Sequence, residues 1–353
     1  MKDNLLGLFA DEIVEKLAAY GFEKYRGQQI AKWIYQQGVF DYERMTNIPN
    51  AKRQVLKNHF EINMPTLTAH QHSGDKKTSK FLLTFKDNAS VETVLMKQPY
   101  GNSACVSTQV GCGMGCRFCA STLQGVKRNL TGGEILSQIL YINSILAKER
   151  SAVNSIVIMG SGEPLANYDN VLRFIRLCHE SYSLNMSYRN ITLSTAGIVP
   201  GIEKLATEGI PINLAISLHA PTNAIRSSIM PINKQYDIAS VIDAADRYAE
   251  KTGRRVTYEY TLIENINDSP DHAAMLAKLL KGRLASVNLI PVNSVPERGL
   301  LRPARDQILK FLHILQSLHI VVTLRKEMGA DIQAACGQLR RKVIEKEESA
   351  CLE

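Results

Sequence analysis

Residues 105 to 119 read Cys-Val-Ser-Thr-Gln-Val-Gly-Cys-Gly-Met-Gly-Cys-Arg-Phe-Cys. Within that stretch Cys112, Cys116 and Cys119 stand at C-x3-C-x2-C spacing among Gly111, Gly113 and Gly115. Thiols this close in sequence reach one centre only where the backbone folds tightly, which glycine permits. Gaps of two and three residues suit an iron–sulfur cluster or zinc. A structural zinc site takes four ligands, and no second Cys pair or Cys/His pair lies nearby. Three ligands favour a four-iron cluster with one iron open to a small molecule; zinc and plain core thiols are the alternatives.

Outward from that loop, the chain has 353 residues, enough for one large domain and a small one. Its hydrophobic share of 45% and charged share of 22% are those of an ordinary globular protein. No apolar run reaches the roughly 18 residues of a membrane span, and the N-terminal MKDNLLGLFADEIVEKL reads as an amphipathic helix, not a leader. Seven unevenly spaced cysteines argue against a secreted disulfide framework and for a reducing cytoplasm. A net charge of +8 is compatible with a polyanionic partner, of which nucleic acid is the commonest.

In chain order, residues 1–62 read as a small helical unit, with Ile13, Leu17 and Tyr20 and then Ile30, Ile34 and Tyr35 at helical spacing. Residues 63–97 alternate in the manner of a β-hairpin connector, Phe81–Phe85 and Val91–Met96 about a Lys86–Ala89 turn. Glu92 reads there as a solvent-facing strand carboxylate, and Lys76, Lys77 and Lys80 as a solvated charged loop. From 98 to 331 apolar strands near 103–110, 154–160, 190–195, 212–218, 256–263, 286–292 and 319–325 alternate with amphipathic helices. Such alternation means βαβ units on a parallel sheet, and about six units fit an incomplete barrel. The unusual residues fall just past the strands, at Gly162-Glu163, Ser194, Ser217-Leu218-His219 and Asn293, where barrels bind ligands. Residues 332–353 form a C-terminal segment with Cys336 and a charged tail.

The C-x3-C-x2-C spacing is that of the radical S-adenosylmethionine superfamily. The run CVSTQVGCGMGCRFCASTLQGVKRNLTGGEI further resembles the cluster segment of the RlmN/Cfr family of RNA adenosine methylases. VETVLM (91–96), MGSGEPLANYDN (159–170), LSTAG (193–197), SLHA (217–220), MPIN (230–233), LIPVN (289–293) and DIQAACGQL (331–339) follow in the family's order. Ser161 departs from the larger residue many relatives carry. The resemblance implies an α/β fold, an incomplete (β/α)6-type radical SAM barrel with a helical accessory domain that helps grip RNA. It implies one [4Fe–4S] cluster on Cys112, Cys116 and Cys119, and two S-adenosylmethionine molecules per turnover. Cofactor contacts are implied at Gly162, Glu163, Ser194, Ser217, Leu218, His219 and Asn293, and Glu92 as a proton acceptor.

Cys336 and Cys105 match the family's two reactive thiols. Family chemistry methylates the first, generates a carbon radical on the S-methyl group, adds it to an adenine ring carbon, and resolves the adduct into a Cys105–Cys336 disulfide. An adenine C–H is too weakly acidic for ordinary methyl transfer, and a covalent intermediate divides the task. The implied substrate is 23S ribosomal RNA, with a transfer-RNA adenosine beside the anticodon as a second, methylated at C2 because MGSGEPL looks like that branch. C8 methylation of the Cfr type is the nearest alternative; a non-catalytic metal-binding RNA module and a glycyl-radical activase are the others. The expected partners are RNA and an electron donor such as flavodoxin, with the protein monomeric. Lys127-Arg128, Arg254-Arg255 and Arg298/Arg302/Arg305 are candidate phosphate contacts.

Overall fold

The protein's computed structural model describes residues 2–326 and 328–339, so the expected charged tail lies outside the described residues. The N-terminal unit opens on a short strand, β1 (Asp3–Asn4), not on a helix. The Asn4 side chain accepts from the backbone N–H groups of Leu6 and Asn63, and this fixes the extended start. Three helices follow: α1 (Ala10–Ala18), α2 (Lys24–Tyr35) and α3 (Asn50–His59). The closing strand β2 (Phe60–Glu61) pairs with β1. Ile13, Leu17, Ile30 and Ile34 are fully buried, as their spacing predicts. Tyr20 instead lies past the end of α1, partly exposed and packed on His59 and Phe60. The unit docks on the barrel through Arg173, which pairs with Glu12 and donates to the Gly7 carbonyl at 2.6 Å.

Strands β3 (Thr66–His72), β4 (Thr78–Thr84) and β5 (Ser90–Gln98) form an antiparallel meander that pairs with β6 (Gly101–Cys105). The expected hairpin is thus three strands, and it extends the barrel's own sheet. The predicted 103–110 strand divides, because past Cys105 the chain leaves the sheet to form β7 (Gln109–Gly111) against β8 (Val126–Asn129). The cluster loop hangs between those two strands.

Six helical crossovers then link parallel strands: α4 (Gly132–Leu146) to β9 (Val153–Ile158), α5 (Tyr168–His179) to β10 (Ile191–Thr195), and α6 (Val199–Leu205) to β11 (Asn213–Ser217). A helix pair, α7 (Asn223–Ile229) and α8 (Ile238–Thr252), leads to β12 (Val256–Leu262); α9 (Pro270–Leu280) leads to β13 (Ala285–Pro291), and α10 (Arg305–Ser317) to β14 (Val322–Leu324). The sheet runs β14-β13-β12-β11-β10-β9-β6-β5-β4-β3, parallel from β6 to β14 and open at both edges. This is the incomplete barrel that the alternation predicts; α7 is the helix it does not. Among the described residues no helix is long and apolar enough to cross a membrane.

Two charged expectations change in the structure. Lys80 is buried in β4 and pairs with Glu92 at 2.9 Å, so neither faces solvent. Antiparallel pairing sets Lys80 opposite Val94 and Leu82 opposite Glu92, which brings the two side chains together on one face. Arg128, a candidate phosphate contact, is tied within the protein to Asp87 at 2.6 Å and Glu134 at 2.8 Å. Lys80 also donates to the Gln333 carbonyl. Lys80→Met is expected to destabilise the fold by about 3 kcal/mol, since it removes one member of a buried ion pair. A urea midpoint equal to that of the wild type would contradict this.

Candidate active site

The cluster loop is shaped by its backbone. Gly111 has φ +81°, and a Cβ there would stand 2.0 Å from the Gly125 carbonyl oxygen, so no side chain fits. Cys112 N–H donates to that same carbonyl at 3.0 Å. Thr122 Oγ1 donates to the carbonyls of Cys116 and Cys119, and Arg117 N–H to that of Ile229, closing the loop over the barrel mouth.

Cys112, Cys116 and Cys119 line one cavity of about 150 Å³ at the C-terminal ends of the parallel strands. Among the described residues, no three His, Cys, Asp or Glu side chains close to the spacing of a single ion. The three thiols share one cavity wall, and as thiolates they are a donor set that suits an iron–sulfur cluster. Burial pushes the Cys112 thiol up to about 12 and raises Cys116 and Cys119 as well, the neighbouring thiols adding repulsion for Cys116. A bound cationic centre reverses that preference, because metal coordination deprotonates a thiol outright. The residues present fit the cluster.

The same cavity gathers Gly162, Glu163, Ser194, Ser217, His219 and Asn293. Gly162 has φ +111° and a Cβ there would meet the Gln109 backbone nitrogen at 2.7 Å, so the turn admits only glycine. Ser161 beside it is buried, its N–H bonded to Ser107 Oγ at 2.9 Å and its carbonyl to Thr108 and Gln109. The Glu163 carboxylate accepts from Leu165 N–H at 3.0 Å, Thr195 Oγ1 at 2.7 Å and Ala196 N–H at 2.7 Å. Burial raises its pKa while these bonds oppose the rise. One lone-pair direction is left for a ligand ammonium.

His219 sits at φ +57°, and its Nδ1 accepts from Thr261 N–H at 2.9 Å. Its proton therefore lies on Nε2. Burial, with the nearby Arg226 charge, drives its pKa down to about 3, so the ring stays neutral.

Leu218 is the one implied cofactor contact that does not reach the cavity. Its side chain is fully buried, its N–H donates to the Glu259 carbonyl, and its own carbonyl accepts from Arg226.

Sequence reasoning passed over Arg226, Glu259 and Arg325. Arg226 is fully buried and donates to the carbonyls of Ala196, Ser217, Leu218 and Tyr236 and to Asn233 Oδ1. It stitches together the loops after β10 and β11. Burial lowers its pKa to about 10, still charged at neutral pH. Glu259 is buried on β12 and accepts from Asn288 at 2.8 Å. Arg325 follows β14, and its pKa is raised by the Cys336 sulfur first and by Glu259 and Cys105 after it.

Cys336 lines this first cavity and also a second of about 350 Å³, which adjoins it and holds Cys105. Both are free thiols. Burial first, then Cys336, pushes the Cys105 thiol up to about 12. The segment bearing Cys336 is clamped through backbone. Asn293 Nδ2 donates to the Cys336 carbonyl at 2.9 Å, Ala120 N–H to Gly337 at 2.7 Å, and Ser121 Oγ to Leu339 at 2.9 Å. Glu92 lines neither cavity. It shares a strand face with Val94 and Met96, which do line the second, and Val94 pairs with Cys105. Arg298 donates to Thr122 at 2.7 Å beneath the cluster loop, and Arg302 lines the second cavity.

An open barrel with three glycine-cradled thiols at its mouth defines a radical SAM enzyme. The model of the radical SAM superfamily matches residues 106–277, and that of the ribosomal RNA large subunit methyltransferase N-terminal domain matches residues 3–62. The chain is 49% identical over 97% of its length to a relative from Symbiobacterium thermophilum, described as "Probable dual-specificity RNA methyltransferase RlmN", and covers 92% of that protein. A Staphylococcus aureus (strain JH9) relative of the same description is 48% identical over 97% of this chain and 93% of its own. The crystal structure of a radical SAM methyltransferase from Sphaerobacter thermophilus superposes with a TM-score of 0.93 at 43% identity, covering 96% of this chain and 99% of that one. The chain belongs to the RlmN family of radical SAM methyltransferases.

Proposed function

We propose that the protein methylates C2 of an adenosine in 23S ribosomal RNA and in transfer RNA, with Cys336 carrying the methyl carbon. The observation behind this is that Cys336 lies on the wall of both cavities. In the first, Cys112, Cys116 and Cys119 would hold the cluster, and Gly162, Glu163, Ser194, Ser217, His219 and Asn293 would seat S-adenosylmethionine. The second admits the target base, which must leave its stack to reach the thiols. When bound, the cluster and S-adenosylmethionine supply the methyl group and the means of removing hydrogen from it. The protein positions and shields. Glu163 and the Nε2–H of His219 orient the ligand. Cys336 bonds to the transferred carbon, and Cys105 stands ready to take over the Cys336 sulfur when the carbon–sulfur bond breaks. Glu92, paired with Lys80 on the strand face of Val94 and Met96, serves as the proton acceptor for the base that enters the second cavity. A flavodoxin-type reductant, action in the cytoplasm and a monomeric state complete the reading.

The test is nuclease digestion of RNA from an anaerobic reaction, with mass spectrometry against 2- and 8-methyladenosine standards. 2-Methyladenosine is expected. 8-Methyladenosine would place the enzyme with the Cfr type, and no methylated adenosine from cluster-loaded protein would overturn the RNA reading.

A further inference from the structure

Tyr100 is 81% exposed, the largest exposure among the described large hydrophobic residues. A single exposed aromatic needs no explanation in general. This one occupies a two-residue loop, Pro99–Tyr100, closed by pairing of Gln98 with Gly101. The loop is pinned from both sides. Lys97 pairs with Glu149 at 2.7 Å, Asn102 N–H donates to Asn154 Oδ1 at 2.8 Å, and Asn102 Nδ2 donates to Ser151 Oγ and the Ala152 carbonyl. The ring is therefore held outward by a fixed support.

It is also held at a particular place. Tyr100 lines the second cavity together with Met96, Arg302 and Lys326, and Cys105 and Cys336 lie on the same wall. Cys105 is buried while Tyr100 and Lys326 are exposed, so the cavity runs from a thiol floor to an aromatic and cationic rim. A base drawn down to the thiols leaves its neighbours without a stacking partner. An aromatic face at the rim replaces that partner, since every base has a π-face, and rim cations meet the adjoining phosphates.

We propose that Tyr100 is a stacking platform for the nucleobase next to the extruded adenosine. This rests on the reading of the second cavity as the base site.

The experiment uses cluster-loaded enzyme and an RNA hairpin whose loop carries the target adenosine flanked by 2-aminopurine. Fluorescence gives Kd, and methylation kinetics give kcat and KM. Tyr100→Ala is expected to raise Kd and KM about tenfold, with kcat moved less than about twofold, and to melt at the wild-type temperature. Tyr100→Phe and Tyr100→Trp are expected to restore binding to within about twofold. An Ala variant that binds like the wild type, or a Phe variant as weak as Ala, would overturn the platform while wild-type methylation upholds the base site. Wild-type enzyme that neither binds nor methylates the hairpin or 23S RNA would overturn both.

Discussion

Cys336→Ala protein is expected to yield no methyladenosine, a loss of roughly 10⁴-fold or more, as when a covalent nucleophile is deleted. Its peptide spanning position 336, expected to carry a methyl group in the wild type, would carry none. Cys119 is the other thiol on both cavity walls, and it belongs to the cluster loop. The fold should survive, because the bonds that clamp this segment use backbone carbonyls, and the Sγ engages only the Arg325 side chain. Digestion and mass spectrometry of protein and RNA from one reaction check both halves. Methylation kept above about one part in a hundred would take the relay away from Cys336.

Arg226→Met should lower unfolding free energy by about 3 to 5 kcal/mol, the scale for breaking a buried charged network. Four carbonyls and the Asn233 side chain converge on this one guanidinium. Each buried acceptor left without its donor costs about 1 to 3 kcal/mol, and relaxation of the loops recovers part of the sum. Arg226→Lys is expected to rescue little, because a point charge cannot reproduce a planar fork. The loops it holds carry Ala196, which bonds Glu163, and His219. S-adenosylmethionine affinity should therefore fall along with the urea midpoint. A midpoint shift equivalent to less than about 1 kcal/mol would show that the loops stand without it.

The barrel was legible because alternating strands and helices leave a periodic signature, and the residues that line the first cavity because barrels place such residues after strand ends. Cys112, Cys116 and Cys119 announced themselves by spacing, and Gly162 by the turn it makes. The hidden residues are those whose meaning depends on distant neighbours. Glu259 sits in Val-Thr-Tyr-Glu-Tyr-Thr-Leu, where alternation suggests a solvent face, yet a central barrel strand has none. A charged residue in a strand buried on both faces was the available signal. Arg226 in Ile-Arg-Ser-Ser-Ile resembles any surface helix arginine, and only the loops that close on it reveal its burial. Lys80 and Glu92 lie twelve positions apart and meet through strand pairing alone. The approach of Cys105 to Cys336 is likewise set by the way the C-terminal segment lies over β5 and β6. Tyr100 gave no sign at all, because its significance lies in where its pinned turn projects.

The central claim is that the methyl carbon passes through Cys336 and loses a hydrogen there. S-adenosylmethionine with a fully deuterated methyl group, given anaerobically with reductant and unmodified 23S RNA, tests it directly. The account predicts 2-methyladenosine whose methyl group has lost one of its deuteriums, and a deuterated methyl group on Cys336 of the resting protein. A product that keeps every deuterium would mean direct transfer to the base and would contradict the thiol relay.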